Sequence, residues 1–454
     1  MQREKIPKII IIGAGPGGLA LYHALIKNKD KKEFDVKIFE RDSSPRERWQ
    51  GYHIVLNYPG IRSLLNCVPS SINSNLQKAI PNPLPDVEFH GASLFDNKGK
   101  LILHPSSIQF KDFNELVKVD DEYSVLIAYR DRLRDVLLEG VPVTWGKKCI
   151  GYEETKDGVW AMFDDGSQEF CDILVGADGI YSPIRKQRLP ELQIFNFGLT
   201  NVVANIAVPK HLMDRFIKSQ GNSLFQKNLG LHGDSSSLIF RLIPIEQEPG
   251  YENKNNSNEL HYRLTLNYSY PTKLDDRESV QIKVDDNDSA SVIEHVKQMV
   301  RNFGSKCEFN DIILEFWDLV PKSAPNDPEK FKFKNYNPTR RRQYQDINPS
   351  SIQPWTSSRV TLLGDAVHAM NPVHGLGINN AFQDADLLSQ ALINYSSEDP
   401  ISCIQGYEKE MRKRSTVDVL KSRSMALRLS TPVGRIKAII RNYGFKVINF
   451  FINF

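Results

Sequence analysis

Short apolar runs, each followed by a turn or a helical pattern, mark the beginning of the chain. Residues 8–12 read KIIII and are followed by GAGPGG at 13–18, after which leucines recur at helical spacing. Residues 35–40, DVKIFE, form a second apolar run that ends on a carboxylate. Strand, tight turn, helix and strand in this order predict a βαβ unit of a parallel sheet that is buried on both faces.

A different pattern occupies the middle of the chain, at about 190–350. Apolar and polar residues alternate in three segments, 201–208, 237–243 and 260–270, and long polar loops separate them. This alternation predicts a separate, mostly antiparallel sheet module. A buried strand returns at 359–363, and the chain from 398 onward is helical in pattern.

Composition and charge narrow the class of protein. The chain has 454 residues, of which 40% are hydrophobic and 25% charged, and its formal net charge is +3. This mixture is typical of a globular protein of two or three domains, and the near-neutral balance gives no reason to expect nucleic-acid binding. The five cysteines are scattered without a CxxC pair, so we predict neither a disulfide framework nor a metal site. Because the first eight residues lack the layout of a signal peptide, we expect a reducing, cytoplasmic location.

The glycine cluster near the start of the chain carries the clearest chemistry. Gly13, Gly15 and Gly18 form a GxGxxG pattern between a predicted strand and a predicted helix. The first glycine of such a pattern allows a tight turn, the second lets a pyrophosphate approach the backbone, and the third lets the helix pack closely on the strand. Glu40 ends the next strand, where a carboxylate can accept hydrogen bonds from a ribose. These residues predict a dinucleotide site.

Two later segments place carboxylates near strand ends. Residues 172–185 begin DILVGADG, and residues 364–368 read GDAVH. Asp365 follows a buried strand, at the edge where ligands collect in open α/β sheets. The glycines beyond it would let the backbone approach a flat ring. The positive end of a helix that begins near Gly377 would stabilise an anion on that ring.

In this order and spacing, the three motifs resemble those of the flavoprotein aromatic hydroxylases, the family of para-hydroxybenzoate hydroxylase. Residues 40–56, ERDSSPRERWQGYHIVL, are most similar to the polyketide hydroxylases and tetracycline-inactivating monooxygenases of that family. The resemblance implies an α/β fold: a Rossmann-like FAD-binding domain, with its βαβ unit and GxGxxG, an inserted mostly antiparallel β-sheet substrate domain, and C-terminal helices. The implied boundaries are 1–80, 111–188 and 355–400 for the FAD-binding parts, 81–110 and 189–354 for the substrate domain, and 401–454 for the helices.

The same resemblance implies FAD as cofactor and NADPH or NADH as co-substrate. The implied FAD contacts are Gly13, Gly15, Gly18, Glu40, Arg41, Arg48, Gly51, Arg130, Asp178, Gly364, Asp365, Pro372, Gly375, Gly377, Ile378 and Asn379. Asp178 falls on a fingerprint that serves both FAD and NAD(P)H in this family. His374 departs from the family pattern, because small or aromatic residues are usual at the place before Gly375.

The reaction implied by the resemblance is hydroxylation of an aromatic or polyketide-like small molecule in secondary metabolism. NAD(P)H would reduce FAD, reduced FAD and dioxygen would give a flavin hydroperoxide, and this electrophile would transfer one oxygen atom to the substrate. The sequence does not identify a catalytic base. The candidates are His53, Tyr52 and His374, and we expect packing as the role of His53. Structural roles are also expected for Tyr129, Tyr268 and His368.

Alternatives of other classes stay open on sequence alone. A reductase of the same fold would transfer hydride without inserting oxygen, and a flavin-binding protein without turnover would only retain the cofactor. A halogenase is not indicated, because no WxWxIP sequence follows the glycine loop. The basic run at 340–342 allows either contact with the 2′-phosphate of NADPH or plain solvation, and charge runs are usually solvated.

The segment 434–454 is both basic and amphipathic. Its apolar residues at helical spacing are Ile436, Ile439, Ile440, Val447, Ile448, Phe450, Phe451 and Phe454, and its basic residues are Arg435, Lys437, Arg441 and Lys446. Such a helix can lie on a membrane surface as a peripheral contact or pack its apolar face on the flavin domain, and we expect packing. The charges argue against a membrane-spanning helix. Nothing in the sequence indicates the oligomeric state.

Overall fold

The fold is seen in a computed structural model that describes residues 6–45, 47, 53–80, 92–104, 113–119, 125–247, 259–276, 284–323 and 338–452. The chain divides into two compact units. The first unit comprises Met1–Ile80, Asp112–Phe195 and Gln345–Ala426, and the second comprises Pro81–Lys111, Asn196–Tyr344 and Leu427–Phe454. The block predicted as terminal helices, 401–454, contributes to both units.

Strands and helices are distributed over both units. The described strands are β1 Lys8–Ile12, β2 Asp35–Phe39, β3 His53–Asn57, β4 Ala92–Phe95, β5 Leu101–Leu103, β6 Val125–Tyr129, β7 Val143–Thr144, β8 Cys149–Glu154, β9 Val159–Phe163, β10 Gln168–Cys171, β11 Ile173–Gly176, β12 Phe195–Pro209, β13 Phe225–Leu229, β14 Ser235–Pro244, β15 His261–Pro271, β16 Arg341–Asp346 and β17 Val360–Leu362. The described α-helices are α1 Pro16–Lys27, α2 Tyr58–Cys67, α3 Ser70–Asn73, α4 Phe113–Val119, α5 Arg130–Leu138, α6 Pro183–Arg188, α7 Lys210–Gln220, α8 Ser289–Phe303, α9 Glu308–Asp318, α10 Asp365–His368, α11 Gly377–Ile393, α12 Ser402–Leu429 and α13 Arg435–Ile452. These elements confirm the predicted mixed α/β class.

A five-stranded parallel sheet, in the order β17-β11-β1-β2-β7, is the centre of the first unit. β1 lies between β11 and β2, with Ile9 opposite Ile173 and Val36. Its four isoleucines, residues 9–12, are at most 4% exposed, because strands covered on both faces take continuous apolar runs. Since the strands are parallel, the turns that follow β1, β11 and β17 emerge at the same edge of the sheet.

Two smaller antiparallel sheets complete the first unit. One has the order β10-β9-β8, in which β8 and β9 form an antiparallel hairpin. The other pairs β3 with β6, so that His53 lies opposite Tyr129. This pairing brings residues 53–57, which overlap the end of the segment 40–56, next to the start of α5.

The second unit is built on a seven-stranded sheet in the order β16-β12-β15-β14-β13-β4-β5. Side chains alternate between its two faces along each strand. One face forms the hydrophobic core with α7, α8 and α9, and residues such as Phe240, Leu264, Phe216 and Trp317 are almost completely buried there. The opposite face is more polar, which explains the alternation that the sequence shows.

The last described helix, α13, corrects one expectation. Its apolar positions, which we expect to pack on the flavin domain, are instead exposed: Ile436 by 76% and Tyr443 by 71%. The helix belongs to the second unit and packs its other side against β5. Among the described helices, none combines the length and the apolar character needed to cross a membrane.

Candidate functional site

The glycine loop joins β1 to α1. Gly13 has a φ of 112°, and a Cβ atom at this position would lie 2.4 Å from the carbonyl oxygen of Ala177. A Cβ atom at Gly18 would lie 2.2 Å from the carbonyl oxygen of Gly13. At Gly15, in contrast, no described atom lies within 4 Å of the Cβ position. Backbone geometry and packing therefore require the first and third glycines, whereas the second faces open space at the N-terminus of α1.

Glu40 and Arg134 form hydrogen bonds to the backbone of this loop. Glu40, which is 6% exposed, follows β2 and accepts a hydrogen bond of 2.9 Å from the backbone N–H of Ala14. Arg134 lies 3.8 Å from the Glu40 carboxylate and donates from Nε to the carbonyl oxygen of Ala14 at 3.0 Å. Its Nη1 also donates to the carbonyl oxygen of Pro45 at 3.2 Å. Glu40 therefore reaches the glycine loop, and a buried ion pair fixes the backbone on which a pyrophosphate would rest.

Asp178 lies beside the same loop, after β11. Its Cα atom is 3.1 Å from the Cβ position of Gly13. Both carboxylate oxygens are buried, and neither has a hydrogen-bond partner among the residues that the structure describes. Burial raises the pKa of Asp178 to about 6, although the neighbouring Ser182, Arg185 and Arg41 counteract the effect of burial. A buried carboxylate without a donor is a site that a bound ligand with hydroxyl groups would satisfy.

Arg185 connects the second motif to the third. Its side chain is almost fully buried, and Nη1 donates to the carbonyl oxygens of Ile180 at 2.6 Å and Ala366 at 3.2 Å. Its backbone N–H donates to Ser182 Oγ at 3.0 Å, which caps the start of α6. The two loops that follow β11 and β17 are thus linked by a single side chain.

A buried carboxylate anchors the third motif. Asp384 on α11 accepts hydrogen bonds from the backbone N–H of Gly364 at 2.8 Å and from His368 Nε2 at 2.6 Å, and it pairs with Arg414 on α12. Burial alone would raise the pKa of Asp384, but the charges of His368 and Arg414 together with these hydrogen bonds hold it below its usual value. His368 therefore has a structural role, as its sequence context predicts.

The loop before α11 is fixed by Asn379. Its Nδ2 donates to the carbonyl oxygens of Val55 at 2.9 Å and Gly375 at 2.8 Å, and its Oδ1 accepts from the backbone N–H of Asn57 at 2.9 Å. Gly375 has a φ of 64°, so a left-handed turn sets the chain direction there. A Cβ atom at Gly60 would lie 2.1 Å from Asn379 Oδ1. The amide of Asn379 is thus committed to positioning this loop on β3.

Asp365 begins α10 and is exposed to solvent. The protein around it raises the pKa of its carboxyl, and the charges of His368 and Arg130 counteract this effect. Arg130, the first residue of α5, lies close enough to act on Asp365 electrostatically.

Comparison with known proteins agrees with this geometry. Residues 334–420 match the family described as FAD binding domain. The chain is also 27% identical over 433 residues to the FAD-dependent monooxygenase thnD of Trichoderma harzianum, covering 91% of this chain and 92% of that protein. These matches support the flavoprotein aromatic hydroxylase family that the sequence predicts, and they identify the chain as an FAD-dependent monooxygenase.

Solved structures share the fold of this monooxygenase. The HpxO protein of Klebsiella pneumoniae, in complex with FAD and uric acid, superimposes with a TM-score of 0.67 at 20% identity, covering 98% of this chain and 95% of that one. The tetracycline destructase Tet(51) has a TM-score of 0.57 at 16% identity, covering 99% and 98% of the two chains. At these identities the likeness concerns the fold alone.

The residues of this monooxygenase fit FAD at the three loops. The open space at Gly15 lies where helix N–H groups bind an anion, which suits a pyrophosphate. The unsatisfied carboxylate of Asp178 and the exposed carboxylate of Asp365 offer acceptors for hydroxyl groups of the cofactor. Open space at the N-terminus of a helix and a buried carboxylate acceptor are features expected of a dinucleotide-binding site.

The candidates for a catalytic base have different surroundings. His53 is 7% exposed, and its ring packs against that of Tyr129 with 4.7 Å between centroids. His374 is half-buried, and burial together with the charge of Lys421 lowers its pKa, against the opposing effect of Asp418. His374 is therefore neutral at neutral pH and able to accept a proton. Three predicted site residues, Arg48, Gly51 and Tyr52, lie outside the described residues.

Other predicted positions lie at the surface or in ion pairs. Pro372 is exposed, and Ile378 is half-buried at the start of α11. In the basic run at 340–342, Arg341 pairs with Asp286 at 2.7 Å and with Asp275 at 3.1 Å. Its charge is thus already balanced by two carboxylates, which favours the interpretation of this run as a structural and solvated segment.

Sequence reasoning missed the residues that support the site from a distance. Arg134 was visible only as one of several charges on a predicted helix, and Arg414 only as part of a long helix without a motif. Asp384 follows the third motif, but its role as the anchor of Gly364 and His368 depends on packing between α11 and α10. For these side chains the sequence offered one signal, a charged residue at a position that the amphipathic pattern predicts to be buried.

Proposed function

We propose that this monooxygenase uses NADPH or NADH and dioxygen to hydroxylate an aromatic or polyketide-like small molecule. The observation that carries the proposal is the convergence of three loops at one edge of the parallel sheet, with an open cradle at Gly15 and a buried, unpartnered carboxylate at Asp178. The family membership supports the same reaction class. Secondary metabolism is the proposed setting.

FAD, when bound, would supply the redox chemistry: acceptance of hydride from NAD(P)H and activation of dioxygen. The residues of this chain supply position and charge. Glu40, Asp178 and Asp365 would hold hydroxyl groups of the cofactor, and the N-termini of α1 and α11 favour negative charge. Arg134, Asp384 and Asn379 keep the three loops rigid, which is needed because small displacements of a positioned ring cost rate.

The polar face of the seven-stranded sheet supports a substrate with an acidic hydroxyl group. Lys227 on β13 lies opposite Ser237 on β14, and Ser237 lies opposite Asn267 on β15, so the three share one face in a row. Lys227 is 8% exposed, and burial lowers the pKa of its ammonium group. Asn267 Oδ1 is buried and unsatisfied, while its amide nitrogen donates to Tyr344 at 3.4 Å.

A cation and an unsatisfied acceptor on one face match a phenol or enol that also carries a neutral hydroxyl group. Burial lowers the pKa of Lys227 to about 8, so the side chain stays mostly protonated at neutral pH and desolvated. A phenolate or enolate beside it would balance the charge, and a second hydroxyl group would donate to Asn267. Polyketides commonly carry such hydroxyl groups on one ring, and ionisation makes the ring electron-rich, as electrophilic hydroxylation requires.

We expect Lys227→Met to raise the KM for acidic phenols by about 10- to 100-fold, because a charge-assisted hydrogen bond contributes roughly 1.5–3 kcal/mol. NAD(P)H oxidation in the absence of substrate should not change. The variant should also be at least as stable as the wild type, since it removes a charge that burial disfavours. Steady-state kinetics against phenols of graded acidity measure the effect. The matched control is Lys218→Met, an exposed lysine on α7. An unchanged KM in Lys227→Met would contradict the assignment.

The proposed reaction is tested with purified protein, FAD, either NADPH or NADH, and a panel of phenols and polyketides under ¹⁸O₂. We expect substrate-stimulated NAD(P)H oxidation and a product that carries one ¹⁸O atom, detected by mass spectrometry. Bound FAD and stimulated oxidation with a reduced, unlabelled product would instead identify a reductase. Retained FAD without oxidation of NAD(P)H under any substrate would identify a flavin-binding protein without turnover.

A further inference from the structure

The helix α13 presents a continuous apolar stripe to solvent. Five of its large side chains are the most exposed: Ile436 (76%), Phe451 (73%), Tyr443 (71%), Ile439 (69%) and Ile440 (67%). They recur at intervals of three, four or eight residues along an 18-residue helix, which places them on one side. Val447, Ile448 and Phe450 extend the same surface with exposures of 39–58%. Contiguous apolar surfaces of this size on a soluble protein mark interaction sites.

The opposite side of α13 is attached to the protein. Ala438 is 4% exposed, and the side chain of Asn449 accepts a hydrogen bond from the backbone N–H of His104, directly after β5. Arg441 is half-buried between these two positions and donates to the neighbouring Asn442 at 3.2 Å. The apolar stripe is therefore not the packing face of the helix, because that role is filled by the side that carries Ala438 and Asn449.

Charge decides which partner fits the stripe. The helix contains Arg435, Lys437, Arg441 and Lys446 and no aspartate or glutamate. Arg435, Lys437 and Lys446 are exposed. Apolar side chains flanked by lysine and arginine, whose long stems reach outward to phosphate groups, are typical of helices that lie in the plane of an anionic lipid surface. Two copies of this helix packed stripe to stripe would bring like charges together.

We propose that α13 docks this monooxygenase on an anionic membrane surface, with the stripe of Ile436, Ile439, Ile440, Tyr443 and Phe451 inserted at the level of the lipid head groups. The exposed basic residues contact the phosphates. The helix lies on the membrane and does not cross it, in keeping with its basic residues. The proposal does not depend on the identity of the substrate or on catalysis.

Vesicle co-sedimentation of the full-length protein tests the docking. Vesicles of phosphatidylcholine with 40% phosphatidylglycerol are compared with vesicles of phosphatidylcholine alone. Three exposed cations near an anionic surface predict binding that is on the order of 100-fold tighter to the anionic vesicles, and this preference should fall steeply with salt. Wild-type protein that stays in solution with anionic vesicles would overturn the proposal.

Matched variants separate the apolar and the charged contributions. Ile440→Glu/Phe451→Glu should abolish vesicle binding at any salt concentration, and Lys437→Glu/Lys446→Glu should remove the preference for anionic lipid. The controls are Val417→Glu, an apolar residue on α12 that is 63% exposed, and Lys409→Glu/Lys413→Glu, two exposed lysines on the same helix. All four variants change exposed side chains, so melting temperatures should match the wild type.

A second measurement tests whether the stripe of α13 instead binds another copy of this chain. Analytical ultracentrifugation without lipid should give the same sedimentation coefficient for the wild type and for Ile440→Glu/Phe451→Glu. A wild-type dimer that dissociates in this variant would overturn the membrane assignment in favour of self-association. Equal vesicle binding by the α13 variants and the controls would also overturn it.

Discussion

Replacing Gly15 with alanine should remove FAD from the protein while leaving the fold intact. The backbone of Gly15 has a φ of −75°, which alanine adopts without strain, and no described atom lies within 4 Å of the new Cβ position. The methyl group would instead occupy the space at the N-terminus of α1 where a pyrophosphate approaches. Loss of one charge-assisted hydrogen bond costs roughly 1.5–3 kcal/mol, so we expect the Kd for FAD to rise about 10- to 100-fold.

Two other glycines make this prediction specific. Gly406→Ala makes the same chemical change in open space on α12 and should leave the Kd for FAD unchanged. Gly13→Ala should instead destabilise the apoprotein, because the φ of 112° and the contact with Ala177 exclude a Cβ atom. Fluorescence titration with FAD and thermal unfolding of the apoprotein measure the two effects. If Gly15→Ala lowers the melting temperature of the apoprotein as much as Gly13→Ala does, the cradle is a structural turn and not a cofactor site.

Local features of the chain made the glycine loop and its two flanking elements predictable. The strand β1, the turn at Gly13 and the helix α1 follow one another within residues 8–27, and the signals for each are a continuous apolar run, a glycine cluster and a helical period. The meeting of the three motifs also follows from topology, because parallel strands deliver their turns to one edge. The sequence could therefore predict which loops meet at the edge of the sheet, but not the distances between them.

Features that depend on contacts between distant segments could not be predicted. Arg134 reaches Ala14 across 120 residues, and Asp384 is held by Arg414 from another helix. The pattern of α13 identifies its apolar side but not which side the rest of the protein covers, and the expected packing of that side was wrong. Similarly, alternation places Lys227 on one face of a strand, but only the structure shows that this residue is 8% exposed.

At Asp178 the effect of burial on the pKa outweighs the opposing effects of Ser182, Arg185 and Arg41. The pKa of Asp178 is raised from 3.8 to about 6, so the folded state binds a proton more tightly than the unfolded state. The resulting stability is complete below about pH 4 and is lost as the pH rises through about 6. At neutral pH the ionised carboxylate therefore lowers the free energy of unfolding, by at most about 3 kcal/mol for a shift of this size.

Asp178→Asn should consequently stabilise the apoprotein at pH 7.5 and weaken cofactor binding in the same molecule. The amide removes the buried charge but leaves a buried polar group, so we expect a net gain of about 1–2 kcal/mol, or roughly 2–6 °C in the melting temperature. This gain should fade as the pH falls from 6 to 4. The exposed Asp164→Asn serves as the control and should change neither quantity.

Asp178→Asn should weaken FAD binding even though it stabilises the apoprotein, because the two effects have different causes. A cofactor hydroxyl group that donates to the Asp178 carboxylate supplies the partner that the apoprotein lacks, and ionisation then becomes favourable instead of costly. An amide oxygen accepts the same hydrogen bond more weakly, so the Kd for FAD in Asp178→Asn should rise by about 10-fold. Thermal unfolding with and without saturating FAD measures both effects in one experiment. A variant that is less stable than the wild type in both states would show that Asp178 is held by the protein itself. A variant that is more stable than the wild type at pH 7.5 without FAD, but less stable with saturating FAD, would show that the Asp178 carboxylate serves to bind the cofactor.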